Sequence, residues 1–305
     1  MVEKWISEYF AKVLNAPNWI GIKVFVNELE LDLATCKKVS DFRRELNMKE
    51  GWYNRSFDAI LKNNAEVQVS ITRFLSLEMD EVGAISFNIT LKNMDGEITF
   101  LPYLDSGITN EDSNWDDKFW NTTNVSSTGN RAFIEAHTMK TNFKTCTFMQ
   151  ASLEYKGTDI SANLDESTDN FVALKFSQKV EKGQQLILTK FGGYTVSRNH
   201  AEEKLRVAAN DVLDKASNLG FAKMLEKQKE SWAKIWEMSD IGIQGDIKAQ
   251  QGIRFNIFQL NQTYLGTDSG LNIDQKDSLG KNMEGVPIGI RKLIAFHFIW
   301  PQKTK

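Results

Sequence analysis

The sequence predicts a mainly β protein, a large antiparallel β-sandwich followed by helices. Three observations carry that expectation. Apolar residues alternate with polar ones from about Ile20 to Val196, which is strand periodicity. Turn residues such as Asn27-Glu28, Asp95-Gly96 and Lys182-Gly183 punctuate the runs. At Ser197 the pattern changes to helical spacing. Many strands with repeated turn signals point to two packed sheets rather than alternating βα units.

The elements follow in order. Ile20, Ile22, Val24 and Val26 alternate, and Asn27-Glu28 turns the chain into Leu29, Leu31 and Leu33. Val67, Val69 and Ile71 form the next alternating run, followed by Ile85, Phe87, Ile89 and Leu91. Asp95-Gly96 then reads as a hairpin turn into Ile98 and Phe100. Phe171–Phe176 and Leu186–Leu188 continue the series. Asn199 is placed to cap a helix whose Leu205, Ala209, Val212 and Ala216 share a face. Ser217 is placed to cap a second, carrying Phe221, Met224, Leu225, Gln228, Trp232, Ile235 and Trp236. A strand-like link, Ile241-Gly242-Ile243, leads to a third helix with Ile253, Ile257, Leu260 and Tyr264 as its apolar stripe. No internal repeat is visible.

Bulk properties exclude several classes. The 305 residues are 41% hydrophobic and 25% charged, which is an ordinary globular mixture with room for about one to two domains. A net charge of −3 gives no reason to expect nucleic acid or an anionic membrane as partner. MVEKWISEYF lacks an apolar signal core, and no run reaches the length of a membrane span, so a cytoplasmic protein is expected. The Asn-x-Ser/Thr triplets at Asn54, Asn88, Asn121, Asn124 and Asn261 are then chance matches. Cys36 and Cys146 make neither a disulfide framework nor a metal site and read as buried free thiols.

No constellation of residues carries chemistry by itself. His137, His200 and His297 have no spaced metal partner; His137 reads as a strand residue and His200 as solvated. NEDSNWDDKFW, residues 110–120, fails as a calcium loop, because Asp117 stands where Gly is required and Thr123 where Glu is required. It reads as an acidic loop anchored by Trp115 and Trp120, with sugar contact as the alternative. Phe191-Gly192-Gly193-Tyr194 lacks a phosphate-loop pattern and reads as a bulge or strand-end turn. Trp232 and Trp236 read as core packing. Acids are plentiful, but sequence picks out no pair, so no catalytic, substrate-binding or metal residue is assigned.

Three stretches resemble glycoside hydrolase family 65, the maltose phosphorylase family. GIRFNIFQLNQTYLGTDSGLNI, residues 252–273, is similar to the start of that family's helical barrel. FRRELNMKEGWYNRSF, residues 42–57, and LPYLDSGITNEDSNWDDKFW, residues 101–120, are similar to its N-terminal sandwich. The resemblance runs from about residue 5 to residue 273. It implies a sandwich over 1–197 with its first strands missing, a helical linker over 198–240, and the first helix of a truncated (α/α)6 barrel over 241–273. It further implies inverting phosphorolysis of an α-glucosidic disaccharide, maltose first, to β-glucose 1-phosphate and glucose. Kojibiose, nigerose or trehalose phosphorylases, or a related hydrolase, are the alternatives, and a non-catalytic carbohydrate-binding module is the rival of a different class. A barrel Glu would protonate the leaving oxygen while phosphate attacks the opposite face. Inorganic phosphate is a co-substrate in that scheme and no cofactor is expected; a homodimer is compatible with it. Because the catalytic Glu belongs to the missing part of the barrel, the chain is expected to be inactive alone.

The tail from Asp274 to Lys305 fits no regular element. Back-translated and read from the third base of each codon, with permitted third-base choices, it becomes PKGFTGEKYGGSTYWDTEAYCIPFYMATK, which resembles the family's continuation. A one-base frame slip near codon 274 is therefore expected. Residues 274–305 would then be an out-of-frame tail, disordered or loosely docked, with accidental apolar runs.

Overall fold

The computed structural model describes residues 14–109 and 118–263. In chain order the strands begin with β1 (Ile22–Val26), β2 (Leu29–Glu30), β3 (Lys38–Asn47), β4 (Trp52–Ile60) and β5 (Glu66–Leu75). They continue with β6 (Val82–Leu91), β7 (Gly96–Asp105), β8 (Trp120–Thr128), β9 (Arg131–Thr138) and β10 (Lys144–Tyr155). The last are β11 (Thr158–Ile160), β12 (Asn163–Ser167), β13 (Phe171–Val180) and β14 (Gln185–Val196). A 3-10 turn at Glu202–Lys204 leads into helix α1 (Leu205–Ser239), and α2 (Ile247–Thr263) follows. The fold is the expected antiparallel sandwich with helices after it.

A nine-stranded sheet runs in the order β3-β4-β5-β6-β14-β10-β9-β8, with β11 pairing β10. A five-stranded sheet, β12-β13-β7-β1-β2, faces it. Alternating side chains fill the space between, among them Val67, Val69 and Ile71 of β5 and Leu186 and Leu188 of β14. A second apolar layer lies on the outer face of the larger sheet. There Phe74, Phe133, Phe148 and Phe191 meet Leu205, Ala209, Leu213 and Ala216 of α1. β6 and β14 are covered on both faces, which is why their residues are buried almost continuously.

Asn27 and Glu28 both take positive φ, at 49° and 66°, which suits a tight hairpin between β1 and β2. Asp95-Gly96 is a different matter: β6 and β7 lie in different sheets. β6 already pairs β5 on one side and β14 on the other, so the next strand has no free edge and crosses to the facing sheet. Gly192 and Gly193 are not a strand-end turn either but sit inside β14, paired through to Val196. A Cβ on Gly192 would stand 2.5 Å from the Trp19 ring, and one on Gly193 would stand 1.9 Å from the Glu81 carbonyl oxygen. Close approach, not turning, demands glycine there.

The helices begin and divide elsewhere than expected. Neither Asn199 nor Ser217 caps a helix: the 3-10 turn follows Ala201, α1 starts without a side-chain cap, and the Ser217 hydroxyl donates to Asp214 O within the helix. The break lies at Gly220, whose φ of 72° and ψ of 165° kink α1 into two segments. Leu213, not Val212, completes the buried face of the first segment. Ile241-Gly242-Ile243 is a loop, tied by Gln250, whose Nε2 donates to Ile241 O and whose Oε1 accepts from Ile243 N.

Candidate functional site

The second segment of α1 and α2 are seated on the sandwich by a seam of specific contacts. Gln228, 2% exposed, accepts from Leu77 N at 2.9 Å and donates to Gly51 O at 3.0 Å. It thereby joins the β3–β4 turn to the β5–β6 loop. The Trp236 indole donates to Met48 O at 2.9 Å, and Glu50 takes both the Trp52 indole N–H and the Lys229 ammonium. The Trp52 hydrogen bond is the main reason the Glu50 carboxyl is held below its usual range. Trp232, fully buried, stacks on Trp236 and on Phe258 of α2, the latter with ring centroids 4.5 Å apart. Trp232 and Trp236 are thus packing residues, as their spacing suggested. α2 turns Phe258 and Gln262 inward and leaves Leu260 48% exposed, so the stripe read from Ile253, Ile257 and Leu260 is rotated from the observed one. Tyr264 lies outside the described residues. Arg254 grips Asp240 with two hydrogen bonds, closing the loop between the helices.

Three other groups hold titratable chemistry. His200, expected to be solvated, is half-buried, with Nε2 2.6 Å from Glu81 Oε1. Burial pushes the Glu81 carboxyl up, and the bond from His200 only partly offsets it. Lys190 is fully buried between the sheets and donates to Gly21 O and Tyr103 O, each at 2.9 Å. Desolvation drives its pKa well below the usual lysine value. On β3, β4 and β5 a row of arginines lies over aromatic rings: Arg44 over Phe42, Arg55 over Phe57 and Arg73 over Tyr53. In the sequence this stretch stands out only for its family likeness. The signal was there in the alternation, since Tyr53, Arg55 and Phe57 share one face of a strand.

The other sequence candidates fall as follows. His137 is a β9 residue beside Asn121, as read. Cys146 is buried, whereas Cys36 is only half-buried. Trp120 is 7% exposed and its indole donates to Asn15 O, so it anchors β8 and presents no open ring face. Residues 110–117, the rest of the acidic loop with Trp115, lie outside the described residues, as do His297 and the segment 274–305. Among the described residues no group of three or more His, Cys, Asp or Glu could hold a metal ion, and no helix is long and apolar enough to cross a membrane.

This architecture has known counterparts. Residues 4–235 match the family described as "Glycosyl hydrolase family 65, N-terminal domain". The chain belongs to glycoside hydrolase family 65. Maltose phosphorylase of Bacillus subtilis (strain 168) is 34% identical over 279 residues, 91% of the chain and 36% of the relative. Alpha,alpha-trehalose phosphorylase of Thermoanaerobacter brockii is 32% identical over 289 residues, 90% of the chain and 37% of the relative. Among solved structures, a human-microbiome protein described as a kojibiose phosphorylase superposes with a TM-score of 0.77 at 26% identity, over 91% of the chain and 36% of that protein. This family 65 chain therefore spans just over a third of the length of its relatives. Relatives of 20–34% identity include phosphorylases of maltose, trehalose, kojibiose and nigerose.

Proposed function

We propose that the chain is the N-terminal part of an inverting disaccharide phosphorylase with maltose as substrate. Residues 1–197 form its sandwich, 198–240 its linker and 241–273 the opening of its barrel. The observation that carries the substrate is identity: 34% to a maltose phosphorylase, against 32%, 25% and 20% to trehalose, kojibiose and nigerose phosphorylases. The geometry supports the division of labour. Gln228, Trp232 and Trp236 bind α2 to the sandwich through hydrogen bonds and stacking, which fixes the angle at which a helical barrel would start. In this reading the catalytic acid and the phosphate pocket are assigned to that barrel rather than to the sandwich. It is a cytoplasmic protein, and self-association as a homodimer fits the same reading.

The test is to incubate the purified polypeptide with phosphate and each of maltose, trehalose, kojibiose and nigerose, and to assay glucose 1-phosphate. No product is expected from any of them; product from the polypeptide alone overturns the assignment of catalysis to the barrel. Sequencing the locus past codon 273 tests the frame slip, and restoring the frame should give an enzyme that releases glucose 1-phosphate from maltose first.

A further inference from the structure

The arginine–aromatic row on β3 and β4 belongs to no function assigned above. Arg44 and Arg55 are direct cross-strand partners, and Tyr53 pairs with Arg73 in the same way one step along. Directly opposed side chains on one sheet face have Cβ atoms about 5 Å apart, and like charges so placed repel. Phe42 and Phe57 lie side by side, their centroids 6.3 Å apart with near-parallel planes. Arg44 sits 5.6 Å from the first ring and Arg55 5.8 Å from the second. A guanidinium laid on a ring keeps its N–H donors pointing outward in its own plane.

Among the described residues neither Arg44 nor Arg55 bonds a carboxylate or a carbonyl, whereas Arg43 on the opposite face pairs with Glu45. Arg44 is exposed and Arg55 half-buried, so both can be reached from solvent. Burial, with the charge of Arg44 beside it, holds the Arg55 guanidinium below its usual range, so its charged form is under-solvated. Arg73 lies over the Tyr53 ring and adds its charge from one step away. Two adjacent guanidiniums, neither bonded to an acid among the described residues, match one tetrahedral oxyanion, which can accept two forked pairs of hydrogen bonds. The exposed Phe42 ring, 46% accessible, offers an apolar platform beside that position.

We propose that Arg44 and Arg55 form a binding site for the phosphate group of a small phosphate monoester, with Phe42 taking the apolar face of the organic part. The bound phosphate relieves the repulsion between the two cations. It also restores the hydrogen bonds that Arg55 loses by burial. The site stands on the sandwich alone and does not rest on the proposed phosphorylase reaction.

Phosphorus NMR on the 305-residue protein tests this, with inorganic phosphate and glucose 1-phosphate as separate probes and sodium chloride at matched ionic strength as control. Saturable shifts or broadening are expected for both probes, and chloride at matched ionic strength should not abolish them. Tighter binding of the ester assigns a role to the Phe42 platform, and equal binding assigns the site to the phosphate group alone. Arg44→Gln, at an exposed position that leaves the fold intact, should weaken binding at least tenfold. Arg55→Lys should weaken it too, because a point charge replaces the fork. Absence of saturable binding overturns the proposal. So does binding that both variants leave unchanged.

Discussion

Gln228→Ala should loosen the whole seam between sandwich and helices. The side chain is buried and makes two hydrogen bonds to different loops, Leu77 N to its Oε1 and its Nε2 to Gly51 O. Truncation takes the partner from two backbone groups in a dry setting. Each buried group so stranded costs about 1–3 kcal/mol. The two loops can relax partly toward water, so a total of about 2–4 kcal/mol is expected. Set against a typical slope of about 2–3 kcal/mol per molar urea, that lowers the unfolding midpoint by about 1 M. Gln228→Met separates the polar effect from the packing effect, since it fills similar space without either bond. Urea unfolding followed by tryptophan fluorescence reads both variants, because Trp232 and Trp236 sit on the same helix segment. If Gln228→Met stays within about 0.5 kcal/mol of wild type, the reasoning that hydrogen bonds hold the seam is refuted.

Four further outcomes can be checked. Gly51→Ala places a Cβ 1.8 Å from Trp232 Nε1 at a φ of 73°, and should cost more than about 2 kcal/mol in urea unfolding, from left-handed strain plus the clash. Phe258→Ala removes the ring stacked on Trp232, and should abolish hydrogen-exchange protection across residues 247–263 while the strands stay protected, because a helix of 17 residues is marginal unpacked. Glu81 has its pKa raised in the fold, so the native state holds the proton longer than the unfolded chain; the stability of wild type relative to Glu81→Gln should fall as pH rises from about 4.3 through the raised value, read by urea titrations across that window. Burial pushes the Cys146 thiol up to about 12, so at pH 8 a thiol reagent should label Cys36 alone in the native protein and both cysteines in urea.

The sandwich was legible because alternation is a local signal with a global meaning. Val67, Val69 and Ile71 must face the same way in any strand, and one face of that strand must be covered. Which strands pair was not legible at Asp95-Gly96, since the turn residues there look the same whether the chain returns beside β6 or crosses to the other sheet. That choice is made by β14, about a hundred residues later, which takes the edge β7 would have used. The division of α1 was misplaced for a similar reason. Ser217 has the chemistry of a cap, but the helix continues through it, and Gly220 alone can take the positive φ that breaks it. The arginine row was visible as residues and invisible as a site. Arg44 and Arg55 are eleven positions apart in sequence, and only the β3–β4 register, fixed by the turn between Asn47 and Trp52, sets them opposite each other.

The seam is built mostly from hydrogen bonds and stacked rings, although plain apolar burial would hold two helices to a sheet equally well. The first segment of α1 combines both: Leu205, Ala209, Leu213 and Ala216 form an apolar layer on the sheet, while Arg131 donates to Asn210 and Asp214 and Arg206 donates to Ser126. Beyond Gly220 the bonds converge on one turn of the sandwich. Gln228 and Trp236 bond the backbone of one short turn at Met48 and Gly51, and Glu50 in that turn takes Lys229. Hydrogen bonds fix distance and direction within a few tenths of an ångström, which burial alone does not. A helix break followed by directional contacts places α2 at one angle to the sheet. That is what an element beginning a larger helical assembly requires. A segment serving only as a lid over the apolar face would gain nothing from it.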